Sequence, residues 1–157
     1  MARIAEEILA TESEHPLGVQ AIPEIDRERI RERVFRLYTG GRTNRIWENL
    51  HDCDSSIQDS NAWSWIGDFV RERNCVLFFD LADEVEMFHV PSGPSLDVLL
   101  GDTYGFVFYV TDVEASYLIG FNDHDFLICC GDAQEWLEVR LARSSAQSPP
   151  DVDGASN

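Results

Sequence analysis

YLIGFNDHDFLICC, residues 117–130, sets four polar residues, Asn122 to Asp125, between two apolar runs. Tyr117, Ile119 and Phe121 alternate along the first run, and Phe126, Ile128 and Cys130 along the second, which is the period-two pattern of strands. A four-residue link rich in Asn and Asp suits a hairpin, because those side chains bond their own backbone and tolerate left-handed geometry. Asp123, His124 and Asp125 could alternatively hold a metal or move a proton. A zinc or iron site needs three or four converging ligands, and neighbours on a tight turn point different ways. The hairpin reading is the one carried forward, with no metal and no cofactor expected.

Working outward, "YGFVFYVTD" (104–112) precedes this hairpin closely enough to complete an antiparallel meander. "CVLFFDLA" and "VEMFHV" read as two further strands joined by an acidic turn at Asp83-Glu84. "PSGPSLDVLLGD" reads as a short helix with Pro94 in its first turn and Gly101 after its last. "GDAQEWLEVRLA" reads as a closing helix, with Asp132 and Glu135 at capping-box spacing.

The amino-terminal part is helical. Ile4, Ile8 and Leu9 form a short apolar stripe in a helix ending near Thr11. In "IPEIDRERIRERVFRLYTGG" (22–41) the apolar stripe is Ile30, Val34, Leu37 and Tyr38, opposite a face of Arg and Glu. Gly40 and Gly41 supply the positive-φ residue that ends such a helix. "DSNAWSWIGDFVRER" offers a polar cap followed by Ala62, Trp65, Ile66, Phe69 and Val70 on one face. The expected architecture is α+β: N-terminal helices, a mainly antiparallel five-stranded sheet, one short mid-chain helix and a C-terminal helix. Residues 1–143 form a single domain, a size that buries about 70% of the unfolded surface. Residues 144–157, rich in Ser, Pro and Asp, are expected to be a disordered tail.

Charge narrows the function. The chain of 157 residues holds 29 Asp and Glu against 12 basic residues, all Arg, for a formal net charge of −17. From Asn74 to Val139 there are 13 acidic residues and no Arg or Lys, whereas Arg27 to Arg45 hold seven of the guanidinium groups. Such a field repels polyphosphate, which argues against direct nucleic-acid binding. No run of ~20 apolar residues is available for a membrane span, and the start lacks the apolar core of a signal peptide, so a cytoplasmic protein with no membrane partner is expected. Cys53, Cys75, Cys129 and Cys130 show no CxxC spacing and are expected to be reduced thiols that pack as small hydrophobes. "HDCD" (51–54) has metal-ligating and thiol types in a polar connection, where loop solvation suffices, and His15 and His89 have no evident partner. No GxSxG, Walker A, GxGxxG or HExxH motif occurs.

Without a catalytic set, the acidic half suggests capture of a basic protein partner by electrostatic steering. The candidate contacts are the strand turns: Asp83, Glu84 and Glu86 at the first, Asp112 and Glu114 at the next, and Asp123, His124 and Asp125 at the third. If these turns gather at one end of the sheet, they form a single negative rim. The rival readings are a small metal-dependent enzyme or regulator centred on His124, and a structural subunit of a larger complex.

"IPEIDRERIRERVFRLYTGG" resembles the amphipathic helix, opened by an aliphatic-Pro pair and closed by a Gly pair, near the start of SUKH-type bacterial immunity proteins. "GDAQEWLEVRL" after antiparallel strands is similar to their closing helix. The resemblance implies a small acidic α+β protein that binds and neutralises a toxin domain, many of which are basic nucleases.

Overall fold

The strands between Cys75 and Gly131 read as nearly unbroken apolar runs because both of their faces are buried. The computed structural model describes residues 3–42, 45–51, 53–103 and 105–147. In chain order the elements are α1 (Arg3–Glu14), β1 (Gln20–Ala21), α2 (Glu24–Tyr38), a 3-10 turn (Trp47–Asn49), β2 (Ser55–Gln58), a 3-10 turn (Ala62–Trp65) continuing into α3 (Ile66–Val70), β3 (Cys75–Phe78), β4 (Phe88–Val90), α4 (Gly93–Asp102), β5 (Phe108–Thr111), β6 (Tyr117–Phe121), β7 (Phe126–Gly131) and α5 (Ala133–Gln147). The class is α+β as expected, and all six pairings of the sheet are antiparallel, in the order β1-β4-β3-β5-β6-β7-β2.

Seven strands replace the expected five. The additional two are the edges: β1 is two residues, and β2 is the polar run Ser-Ser-Ile-Gln. Neither carries an apolar alternation of its own, and each becomes a strand only through its neighbour, Gln20 opposite His89 and Ser55 opposite Cys129. The meander β5-β6-β7 holds as read, with Thr111 opposite Leu118 and Leu118 opposite Cys130.

Alternate residues of the strands feed two cores. On one face Leu77, Val110, Ile119, Leu127 and Cys129 pack with Ile4 and Ile8 of α1, Ile66 and Val70 of α3, Leu96 and Leu99 of α4, and Ala133 and Leu137 of α5. On the other, Val76, Phe78, Tyr109, Leu118 and Cys130 pack with Ile30, Val34, Phe35 and Tyr38 of α2 and with Ile46. The sheet is therefore a middle layer with helices on both sides.

Several helix boundaries and faces shift. α1 continues to Glu14, three residues past the expected end. Leu9 is 48% exposed, α1 burying Ala5 with Ile4 and Ile8 instead, and Leu37 is 50% exposed because α2 turns Phe35 and the stem of Arg31 inward. Gly41 does close α2, its N–H donating to the Phe35 carbonyl at 2.8 Å with φ +88°. α4 runs to Asp102, so Gly101 lies inside its last turn, in contact with the Trp63 ring at the position a Cβ would take. α5 extends to Gln147, so residues 144–147 are helical rather than part of a tail. The remainder of that expected tail, 148–157, lies outside the described residues.

The cysteines correct the expectation of four reduced thiols. Cys53 and Cys130 form a disulfide across 77 residues, while Cys75 and Cys129 are free and buried. Burial pushes both free thiols up to about 12, with a small opposing pull on Cys75 from Arg73, so neither is a nucleophile at neutral pH. The pairing is a long-range event: only the antiparallel seating of β2 on β7 brings the "HDCD" connection to Cys130.

A candidate acidic cleft at one end of the sheet

In the hairpin at Asn122 to Asp125, the Asn122 carboxamide oxygen accepts from the backbone N–H of His124 and of Phe126, each at 3.0 Å. Asp125 takes the left-handed position at φ +67°. The polar quartet thus performs the local chemistry of a tight turn. His124 stands 3.9 Å from Asp123, both well exposed. Three potential metal ligands do converge elsewhere, at Glu14, His15 and Asp102, all exposed.

Successive turns of a meander fall at alternate ends of a sheet, which divides the eight candidate residues. β3 ends where β5 begins and where β6 turns into β7, so Asp83, Glu84 and Glu86 share one end with Asp123, His124 and Asp125. Asp112 and Glu114 sit at the opposite end, beside the start of β3. The single rim does not form.

The residues also differ in freedom. Glu84 is only 6% exposed: it accepts from the Ala5 N–H at 3.0 Å, satisfying an amide of the first turn of α1, and from the Glu86 N–H at 3.1 Å. Glu86 pairs with Arg27 of α2 at 3.4 Å. Asp112 accepts from the Ser116 N–H at 2.9 Å and from the Ser116 hydroxyl, holding its own turn. Of the other five, Asp83, Asp123 and His124 line one cleft of about 480 Å³, and Glu114 and Asp125 do not.

The other walls of that cleft come from Arg45, Trp47, Glu48, Asp80 and Asn122. Asp80 ends the β3 run and organises the wall. Its Oδ1 accepts from the Ile46 N–H at 2.8 Å, and its Oδ2 accepts from the Tyr109 hydroxyl at 3.1 Å. The Tyr109 oxygen in turn accepts from the Trp47 N–H at 3.2 Å. The Trp47 ring can lie against β6 because Gly120 has no side chain: a Cβ there would meet the ring at 2.8 Å. A neighbouring depression of about 650 Å³ shares Ala82, Asp83, Val107 and Asp123 and adds Ile4, Gly105 and Phe106, so Asp83 and Asp123 stand between the two.

Four carboxylates and one guanidinium, itself 3.3 Å from Glu48, face this space. With four carboxylates against one guanidinium, the arrangement suits binding a cationic group. Asp80, Glu48 and Trp47 escape the sequence reading. The signal for Asp80 is a carboxylate placed directly after a fully apolar strand, while Trp47 and Glu48 come from a connection with no periodicity.

Burial raises the Asp80 carboxyl above the ordinary Asp range, against the lowering effect of its two donors. A raised folded value means that its contribution to stability is complete at acid pH and is lost as pH rises through that value. In urea unfolding from about pH 4 to 7, stability is therefore expected to shift in favour of Asp80→Asn relative to wild type as pH increases. Asp80→Ala removes the acceptor for both Ile46 and Tyr109 and is expected to cost about 2–3 kcal/mol. Equal stability of the alanine variant and wild type would show that the cleft wall does not depend on this carboxylate.

No protein-family model, no curated protein and no solved structure matches this chain. Among the described residues no helix is long and apolar enough to cross a membrane. Fold and site together define an α+β protein with a seven-stranded antiparallel sheet, helices on both faces, and an acidic cleft at one end.

Proposed function

We propose that this chain is a non-enzymatic binding protein that receives basic side chains of a partner protein in the acidic cleft, acting as an immunity-type inhibitor that occludes a basic toxin domain. The supporting observation is the convergence of Asp83 and Asp123, from turns 40 residues apart in sequence, on a cleft already carrying Glu48 and Asp80. Carboxylates held on a packed scaffold need little reorganisation to meet a guanidinium or ammonium group, and their field accelerates encounter. Of the candidate contacts, Asp83, Asp123 and His124 carry the reading; Asp125 holds the hairpin turn beside the cleft, Glu84 serves the fold, Glu86 pairs with Arg27, and Asp112 and Glu114 lie away from the cleft. An immunity role of this kind is exercised in the cytoplasm.

The test is stopped-flow association with a basic toxin domain that binds the wild-type chain. Asp83→Arg combined with Asp123→Arg is expected to slow association about tenfold or more at low salt and to flatten its salt dependence. Glu114→Arg, at the other end of the sheet, is expected to change the rate by no more than about twofold. Equal slowing by both sets would remove the cleft from the reading, and no change from either would remove electrostatic steering.

A further inference from the structure

At the end of the sheet away from the acidic cleft, a groove of about 730 Å³ runs between α5 and the connection from α3 to β3. Its floor is aromatic: the Phe69 and Trp136 rings lie 5.5 Å apart, and Phe69 meets Tyr117 edge-on at 4.7 Å. Its rim holds Arg71, Arg73, Arg140 and Arg143, four of the 12 basic residues on a chain of net charge −17.

Two of these guanidinium groups are fixed in place. Arg73 donates to the Phe69 carbonyl at 2.6 Å and the Val70 carbonyl at 3.2 Å, and lies over the Phe69 ring. Arg140 pairs with Asp68 at 3.1 Å and stacks on Trp65 at 4.5 Å. The other two are exposed, and their side chains make no hydrogen bond or ion pair among the described residues. Arg71 is also strained, with φ +59° and ψ −124°, a conformation that favours glycine. Its backbone is held there by its N–H bonded to the Gly67 carbonyl and its carbonyl bonded to the Gly93 N–H. Strain of this kind persists only where the surroundings fix it, and it recurs at ligand clamps.

We infer that this groove docks an acidic peptide segment of a partner protein, with carboxylates on Arg71 and Arg143 and an apolar side chain over Phe69 and Trp136. Arginine clusters read acidic motifs in this way because the planar guanidinium matches a carboxylate with two parallel donors. Acidic surface elsewhere repels such a segment, and guanidinium groups of α2 already have partners of their own, as in Arg29–Asp26, Arg31–Glu28, Arg36–Glu32 and Arg33 on the Val113 carbonyl. Asp132 and Glu135 also line the groove. Spaced carboxylates on a peptide can avoid them, whereas the evenly repeated phosphates of a nucleic acid cannot, so the observations favour a peptide. The inference is independent of the acidic-cleft reading, since the two surfaces lie at opposite ends of the molecule.

The test is fluorescence anisotropy with a labelled peptide of Glu, Leu and Phe, alongside an oligodeoxythymidylate of similar length. Wild-type protein is expected to bind the peptide and not the oligonucleotide. Arg71→Gly with Arg143→Gln is expected to weaken peptide binding about tenfold, while Asp83→Arg with Asp123→Arg leaves it unweakened. Arg71→Gly alone is expected to raise the thermal midpoint by roughly 2–4 °C through relief of strain while still weakening binding. A purely structural role for Arg71 would not produce that opposition. The inference is overturned by wild-type protein that ignores the peptide, by variants that bind it as wild type does, or by tighter binding of the oligonucleotide.

Discussion

Reduction of the Cys53–Cys130 bond is expected to lower the unfolding free energy by about 2–4 kcal/mol. The two cysteines are 77 residues apart, and releasing a loop of that length restores chain entropy worth ~4.5 kcal/mol in the simple polymer estimate. The folded geometry does not depend on the bond, because Cys53 lies two residues before β2, and β2 is already paired with β7 from Ser55 to Gln58. The stabilisation therefore resides mainly in the unfolded ensemble, and the reduced protein should fold to the same structure with a lower urea midpoint. Urea titrations with and without a phosphine reductant, and of Cys53→Ser, should give the same loss. A difference below about 0.5 kcal/mol would mean that the link constrains little. The buried Cys75 and Cys129 should stay unreactive toward thiol reagents until the chain unfolds, because burial holds both near 12. The cytosol reduces bonds of this kind, so a chain at work there would function with the lower of the two stabilities.

Gly93→Ala is expected to destabilise the fold by about 3 kcal/mol or more. A Cβ at residue 93 would lie 2.3 Å from the Gly67 carbonyl oxygen and 3.0 Å from both the nitrogen and the oxygen of Arg71. These are backbone atoms, so no side chain can swing aside, and α4 would have to move off α3. That movement would also break the bond from the Gly93 N–H to the Arg71 carbonyl, now 2.5 Å. In a helix alanine is ordinarily better than glycine by about 1 kcal/mol, so a net loss isolates the steric contact. Gly41→Ala is the control. Nothing lies within 4 Å of a Cβ at that position, and only its φ of +88° opposes substitution, a cost of about 1–2 kcal/mol. Thermal or urea unfolding of the two variants measures the difference. A Gly93→Ala protein as stable as wild type would mean that α3 and α4 can separate at little cost.

Sequence reading succeeds here wherever the cause is local. The hairpin at Asn122 to Asp125 is legible because the Asn122 side chain bonds amides two and four residues along, within the same short peptide. The end of α2 is legible for the same reason, through Gly40 and Gly41. The continuous apolar runs of β3 and β5 mark strands but conceal which residue faces which layer, since Val76 and Leu77 enter opposite cores. Where a pattern is ambiguous at its edge, as with Leu37 and Phe35 on α2, the packed neighbour decides the face. The candidate turns are legible as turns, but which of them share an end of the sheet is not, because the alternation of ends in a meander separates Asp112 and Glu114 from Asp83 and Asp123.

Taken alone, the amino-acid order determined the α+β class, the β5-β6-β7 meander, the principal helices and the uneven charge, all of which follow from the period, caps, turn residues and composition of contiguous segments. Tertiary structure alone decided the two edge strands, the Cys53–Cys130 link, the burial of Glu84 under α1, and the meeting of Asp80, Trp47 and Asp123 at one cleft. Each of these joins groups tens of residues apart. Short-range propensity carries no information about such partners, and only the free energy of packing the whole sheet between its helices selects them.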